Sequence, residues 1–457
     1  MGIRRMTASA GRIDIFERLP IKRAVLLQII PAIASQMITL LYNLADTYFV
    51  GMLNDPGETA AVTVGYASFV FLTAISNLFG VGGASALARS LGRGEKDAAG
   101  RISSVAFWLG AFSSLLFSLI FLLFQRPLLM ICGADADTLE LAVSYTTWAV
   151  VIGGPATILN VLLANLIRAE GSAAHASIGV SIGGIANIIL DPIFILPTGL
   201  GLGALGAGAA TALSNLISTI YFIALIFIKR KRTIISLSIK KLRYTGVYLK
   251  SILSVGFPSA LQYALTVVAV SAQLNFMSGY ATEAVAAVGI VKKLDQLPLF
   301  FSIGVANGLF PMIAYNHAAG NYERRQRAFR FGCGISLAFS LLCLVFYEIF
   351  PGALTGLFIQ DQATIEYASV FLRIMVTAMP MMSLCYPLII QFQAMGRVRE
   401  SLICSVIRKG VLDIPLLFIL NALIPLYGCV LVQPIVDTVS LIVAGFFYKR
   451  LKRRGEA

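Results

Sequence analysis

KRKRTIISLSIKKLRYTGVYLK, residues 229–250, is the only long polar stretch in a chain of 457 residues, and it divides that chain almost in half. Working outward from it, apolar runs long enough to cross a hydrocarbon core of about 30 Å, roughly 20 residues each, recur on both sides. Before it they lie near 24–50, 60–88, 102–124, 141–167, 174–196 and 204–228; after it near 251–277, 284–315, 331–350, 367–393, 402–421 and 426–448. With 58% hydrophobic residues and only 13% charged, the chain is more apolar than a soluble domain. The expectation is an all-α polytopic membrane protein of twelve spans. A basic N-terminal segment (1–23) precedes a six-helix N-lobe (24–228), and the basic linker (229–250) leads to a six-helix C-lobe (251–448) and a basic tail (449–457).

The net charge of +14 is a topological signal. Basic connections (the N-terminus, 89–101, 168–173, 229–250, 316–330, 394–401 and the tail) alternate with connections nearly free of Lys and Arg. Counting the helix ends beside them, with Arg408 and Lys409 taken alongside 394–401, the basic connections hold 32 of the 36 Lys and Arg residues, and only Arg126 falls on the other side. The positive-inside rule then places both termini in the cytoplasm, and no nucleic-acid partner is expected. The run following the basic N-terminus is too long for a signal-peptide core, so span 1 should be retained.

The two halves repeat. Pro31 and Pro258 occupy the same place in spans 1 and 7, and from them Thr39 matches Thr266 and Asp46 matches Gln273 without a gap. Pro155 and Pro380 pair in spans 4 and 10, Gly65 pairs with Gly289, and Leu190-Asp191-Pro192 pairs with Leu412-Asp413-Ile414-Pro415. Six spans per half starting on the same side define a parallel repeat, a plan common among secondary transporters. The paired prolines imply a bend that both lobes need.

Other motifs are structural. Gly201-Leu-Gly203-Ala-Leu-Gly206 spells G-x-G-x-x-G, but it joins two membrane spans and not a strand to a helix, so it reads as a tight turn. His175 and His317 fall near different loops, and the six cysteines have no C-x-x-C spacing. Neither a metal centre nor a histidine-based catalytic site is expected, so the chain is not read as an enzyme, and no cofactor is implied.

Charge inside the membrane is informative because an Asp at mid-span costs about 2.5–3.5 kcal/mol. Asp46 and Asp191 lie late in spans 1 and 5, Asn187 shares a helical face with Asp191, and Thr211 early in span 6 can reach the same depth. Carboxylates, an amide and a hydroxyl can hold a proton, or a sodium ion through oxygen ligands. In the other half, Lys292, Lys293 and Asp295 lie about ten residues inside span 8, beyond easy snorkelling. Lys292 and Asp295 either neutralise each other at i,i+3 or, with Lys293 and Gln273, line a substrate cavity. Asp413 ranks lower than its repeat partner because Arg408 and Lys409 precede it, and Arg373 is read as snorkelling outward.

At LYNLADTYFVG (41–51), NLFGVGGASALARSLGRGE (77–95), NIILDPIF (187–194), GAGAATALSN (206–215) and PMIAYNHAAGN (311–321), the sequence resembles the multidrug and toxic compound extrusion (MATE) family, in its MepA-like bacterial branch. The resemblance implies two six-helix lobes around a cleft of alternating access in a bacterial cytoplasmic membrane. It implies export of amphipathic, often cationic, drug-like compounds in exchange for H+ or Na+, by a chain expected to act as a monomer. It also carries the coupling role onto Asp46, Asn187, Asp191 and Thr211. Span 7 offers Gln262, Gln273 and Asn275 but no acid, a departure from members with a C-lobe cation site. The alternative kept open by Lys292, Lys293 and Arg373 is a lipid-linked saccharide flippase of the same superfamily.

Overall fold

The computed structural model describes residues 14–277 and 279–454. Arg4, Arg5 and Arg12 of the expected basic segment, and the last three residues of the tail, lie outside them. The described residues are helical, with no strand among them. The helices that follow the apolar runs are α1 (Ile21–Gly51), α2 (Pro56–Gly92), α3 (Lys96–Ile131), α4 (Leu139–Thr146 and Gly154–Ala169 around a π-turn at Thr147–Ile152), α5 (Ala173–Ile195) and α6 (Gly203–Ile228). The second set is α7 (Thr245–Met277), α8 (Thr282–Ala318), α9 (Tyr322–Ile349), α10 (Gln362–Val376 and Met379–Met395), α11 (Val398–Val406 and Asp413–Leu423 around a π-turn at Ile407–Val411) and α12 (Tyr427–Arg453). The twelve-span, all-α expectation is met.

Where the helices break follows from their sequence. Pro155 and Pro380 each fall in the first turn of the second segment of α4 and α10, where a missing N–H costs no intrahelical bond. The two segments meet at nearly equal bends, 46° in α4 and 48° in α10. The G-x-G-x-x-G stretch is indeed a turn: Gly201 and Gly203 have φ of 63° and 56°, a left-handed conformation that glycine adopts without penalty. Beyond it the first turn of α6 is capped from another helix, with the Glu58 carboxylate of α2 accepting the Ala204 N–H at 2.6 Å.

Contacts group the chain into two units, divided within α1 and α7 and not at the polar stretch. The first contains residues 34–263, and the second contains residues 20–33 and 264–457. Each unit therefore holds the opening half of a helix that the sequence assigned to the other lobe. In the first unit the opening half of α7 lies on α2, where a Cβ at Gly256 would come within 1.8 Å of the Leu78 carbonyl oxygen and one at Gly82 within 2.1 Å of that of Ile252. In the second unit the opening half of α1 lies on α8, and Cβ atoms at Gly304 and Gly308 would meet the Cα atoms of Ile33 and Ile29 at 2.7 and 2.6 Å. Without a hydrophobic driving force between helices in lipid, such close backbone approach is what makes association favourable. The two contacts join repeat-related helices, α7 with α2 and α1 with α8, through glycines at different positions.

The polar stretch is docked onto the first unit. Ser104 and Trp108 of α3 donate to the carbonyls of Ser238 and Leu237 at 2.6 and 3.0 Å. The Ser236 N–H donates to Ser103 Oγ, and Glu170 accepts from the Thr233 hydroxyl and the Ile234 N–H. Ile235 is buried beneath it.

Candidate ion-coupling site

In the first unit, α1, α5 and α6 bring the four expected coupling residues to one depth. A Cβ at Gly184 of α5 would lie 2.7 Å from Ile38 Cγ2 and 3.2 Å from Tyr42 Cδ1 of α1. Odd-numbered spans run the same way, so at ~1.5 Å per residue Asp46 rises to the level of Asn187 and Asp191. Helix α6 runs the opposite way along α5: Gly206 approaches the Phe194 carbonyl and Gly183 approaches Ser214 and Ser218. That register sets Thr211 beside Asn187.

Asp191 is fully buried and Asn187 nearly so, and the Asn187 amide donates to Asp191 Oδ1 at 3.0 Å. Asp46 and Asp191 interact electrostatically. Three oxygens remain buried without a hydrogen-bond partner: Asp46 Oδ1, Asn187 Oδ1 and Asp191 Oδ2. Orphaned acceptors in an apolar bundle are costly, and a proton or a sodium ion would satisfy such a set. The Thr211 hydroxyl bonds neither carboxylate, while its carbonyl accepts from Ser214 Oγ and the Asn215 amide.

From Thr211 a polar chain continues that sequence reading overlooked. The Asn160 amide of α4 donates to Asn215 Oδ1 at 2.8 Å, and Ser218 Oγ lies 2.7 Å from both Asn160 Oδ1 and the Gly179 carbonyl. The signal available was the i,i+4 spacing of Thr211 and Asn215, with Asn160 as an amide inside an apolar run.

In the second unit the expected residues do not form one group. The Gln273 amide donates to the Cys429 carbonyl at 2.8 Å, which joins α7 to α12. Lys293 is half-buried and has no ion-pair partner among the described residues. Lys292 and Asp295 interact electrostatically but make no direct ion pair, and Lys292 Nζ is buried without a hydrogen-bond partner. Arg373 is largely exposed beside Glu348 at 3.8 Å.

Arg408 and Lys409 are not at a helix end, as the loop-charge count had them. They sit in the π-turn of α11, where Arg408 Nε donates to Asp437 Oδ1 of α12 at 3.0 Å and both side chains are 1% exposed. The Arg408 guanidinium also stacks on Tyr386, 4.1 Å from the ring centroid. Asp437 went unnoticed in the sequence; its signal was Gln433 four residues earlier, which donates to Asp437 Oδ2 and accepts from Lys409 Nζ.

The MatE family model matches this chain twice, over residues 31–193 and 258–419. The chain belongs to the MatE family. Each match begins at one of the paired prolines, Pro31 and Pro258, so the parallel repeat is a repeat of the family unit, and this MatE chain is a membrane transporter and not an enzyme. It is 28% identical to the multidrug export protein MepA of Staphylococcus aureus strain MRSA252, covering 96% of each chain. It is equally similar to the MepA of Staphylococcus saprophyticus, again over 96% of each. Among solved structures it resembles an outward-facing multidrug resistance MATE transporter of the MOP superfamily, with 25% identity, a TM-score of 0.89, and coverage of 97% of this chain and 98% of that one.

Proposed function

We propose that this MatE transporter exports amphipathic, often cationic, drug-like compounds from a bacterial cytoplasm by exchange for H+ or Na+, with coupling at Asp46, Asn187, Asp191 and Thr211. The observation that carries the reading is the pair of electrostatically interacting carboxylates inside the first unit, each with one buried oxygen that lacks a hydrogen-bond partner. The names of the MepA relatives support the substrate class.

Mechanistically, two nearby carboxylates out of water repel each other, and one bound proton or sodium ion relieves that repulsion. Loading the ion changes the charge of the bundle that contains most of α1. Ion and drug then favour different conformations, which is the condition for exchange. One charge moving down a membrane potential yields about 2.3 kcal/mol per 100 mV, equivalent to roughly fifty-fold accumulation. The flippase alternative loses support from Arg373, which pairs with a surface acid, and from Lys292, which interacts with two acids, Asp295 and Asp413.

Dye efflux from proteoliposomes under separately imposed proton and sodium gradients tests the reading and identifies the ion. Asp46→Asn and Asp191→Asn should each abolish gradient-driven efflux while substrate binding persists. Full gradient dependence in both variants would refute the assignment.

A further inference from the structure

The second unit holds a concentration of buried charge apart from the four coupling residues. From α8 come Lys292 and Asp295; from α11, Arg408, Lys409 and Asp413; from α12, Asp437. Lys292 interacts electrostatically with Lys409, Asp295 and Asp413, and Asp413 with Lys409, Asp437, Arg408 and Lys292. Three cations and three acids cancel, but they are not equally satisfied. Arg408, Asp437, Gln433 and Lys409 form a hydrogen-bonded chain, although Arg408 Nη1 is left without a partner. By contrast, Lys292 Nζ and Asp413 Oδ2 are both buried without a hydrogen-bond partner, and Asp413 is 4% exposed.

An unpartnered ammonium and an unpartnered carboxylate in an apolar interior each carry a desolvation cost that a purely structural ion pair avoids by direct contact. The helix is also irregular at this point: Lys409, at φ −130° and ψ 18°, breaks α11 four residues before Asp413. Non-helical backbone at membrane depth and π-turns recur where a helix serves a site and not only a wall. The flanking helices add weakly acidic groups. Tyr347 of α9 donates to the Leu294 carbonyl and interacts with Asp295, and Cys385 and Tyr386 of α10 lie against Arg408.

We propose that Asp413, which interacts electrostatically with Lys409 and Lys292 within this cluster, is a second exchangeable-proton site, located in the second unit and separate from Asp46 and Asp191. Uptake converts the Asp413 carboxylate to the carboxylic acid with a proton from water while Lys292 stays an ammonium; release returns the proton to water. The cluster therefore alternates between a net charge of zero and plus one. Arg408 and Asp437 remain paired in both states and hold α11 against α12. The role in transport rests on the antiport reading, but the protonation does not.

The test is pH-difference infrared spectroscopy on the full chain reconstituted in lipid, following the C=O stretch of protonated carboxyl groups. Asp413→Asn should remove one titrating band, and that band should persist in the Asp46→Asn, Asp191→Asn double variant. Lys292→Met, which deletes the cation favouring the charged carboxylate, should let the same band appear at higher pH, and it serves if the Asp413 variant does not fold. A spectrum unchanged by Asp413→Asn, or a band unmoved by Lys292→Met, overturns the proposal and makes the cluster structural. If the Asp46 and Asp191 variants remove every titrating band, this proposal fails and the coupling assignment stands. If they remove none while Asp413→Asn does, proton coupling at Asp46 and Asp191 fails and this one stands.

Discussion

Arg408 and Asp437 offer the sharpest energetic test, because both side chains are 1% exposed and meet at 3.0 Å. With an effective dielectric near 20, two unit charges at that distance attract by about 5.5 kcal/mol, and burying them costs several kcal/mol per ion. The pair is therefore worth little net, but either partner alone is an uncompensated buried charge, and removing the other costs about 3–5 kcal/mol. Arg408→Met and Asp437→Asn should each lower the unfolding free energy by about that amount. The double variant should fall well short of their sum, by roughly 3 kcal/mol or more. Asp437→Asn keeps a polar partner for Gln433, so the cycle isolates the charge. Unfolding in detergent is readable with a thiol-reactive dye, since Cys385 and Cys404 of the same unit are buried and free, provided exposed Cys132 is replaced by Ser. If the two single losses are small or simply add, the pair does not hold α11 to α12.

Two further outcomes follow from placement. Native Cys132 is exposed just beyond α3, at the end that the loop charges assign to the outside, so an impermeant maleimide should label it on intact cells. Lys240→Cys in a Cys132→Ser background should react only after permeabilisation; reversed labelling would invert the topology. Gly256→Val should sharply reduce folded protein, because its Cβ would lie 1.8 Å from the Leu78 carbonyl oxygen, whereas Gly334→Ala, with nothing within 4 Å, should be recovered at the wild-type level. Equal yields would mean that α2 and α7 do not pack as described.

The sequence alone determined the number of spans, the class of fold and the repeat, because each rests on a one-dimensional signal. Apolar runs of membrane length, alternating loop charge and equal spacing from Pro31 and Pro258 need no knowledge of what touches what. It also singled out Asp46, Asn187 and Asp191, since an acid in an apolar run is conspicuous whatever surrounds it. Only the tertiary structure showed that the units divide within α1 and α7. That division depends on which helix the glycines at 82, 256, 304 and 308 allow to approach, and a glycine in a helix does not reveal its neighbour. Likewise, Arg408 and Lys409 read as the basic flank of a loop because linear distance from a loop resembles exposure. Whether such a residue reaches water or meets Asp437 across a helix pair is decided by packing in three dimensions, where the cost of burial is set by the partner and not by position along the chain.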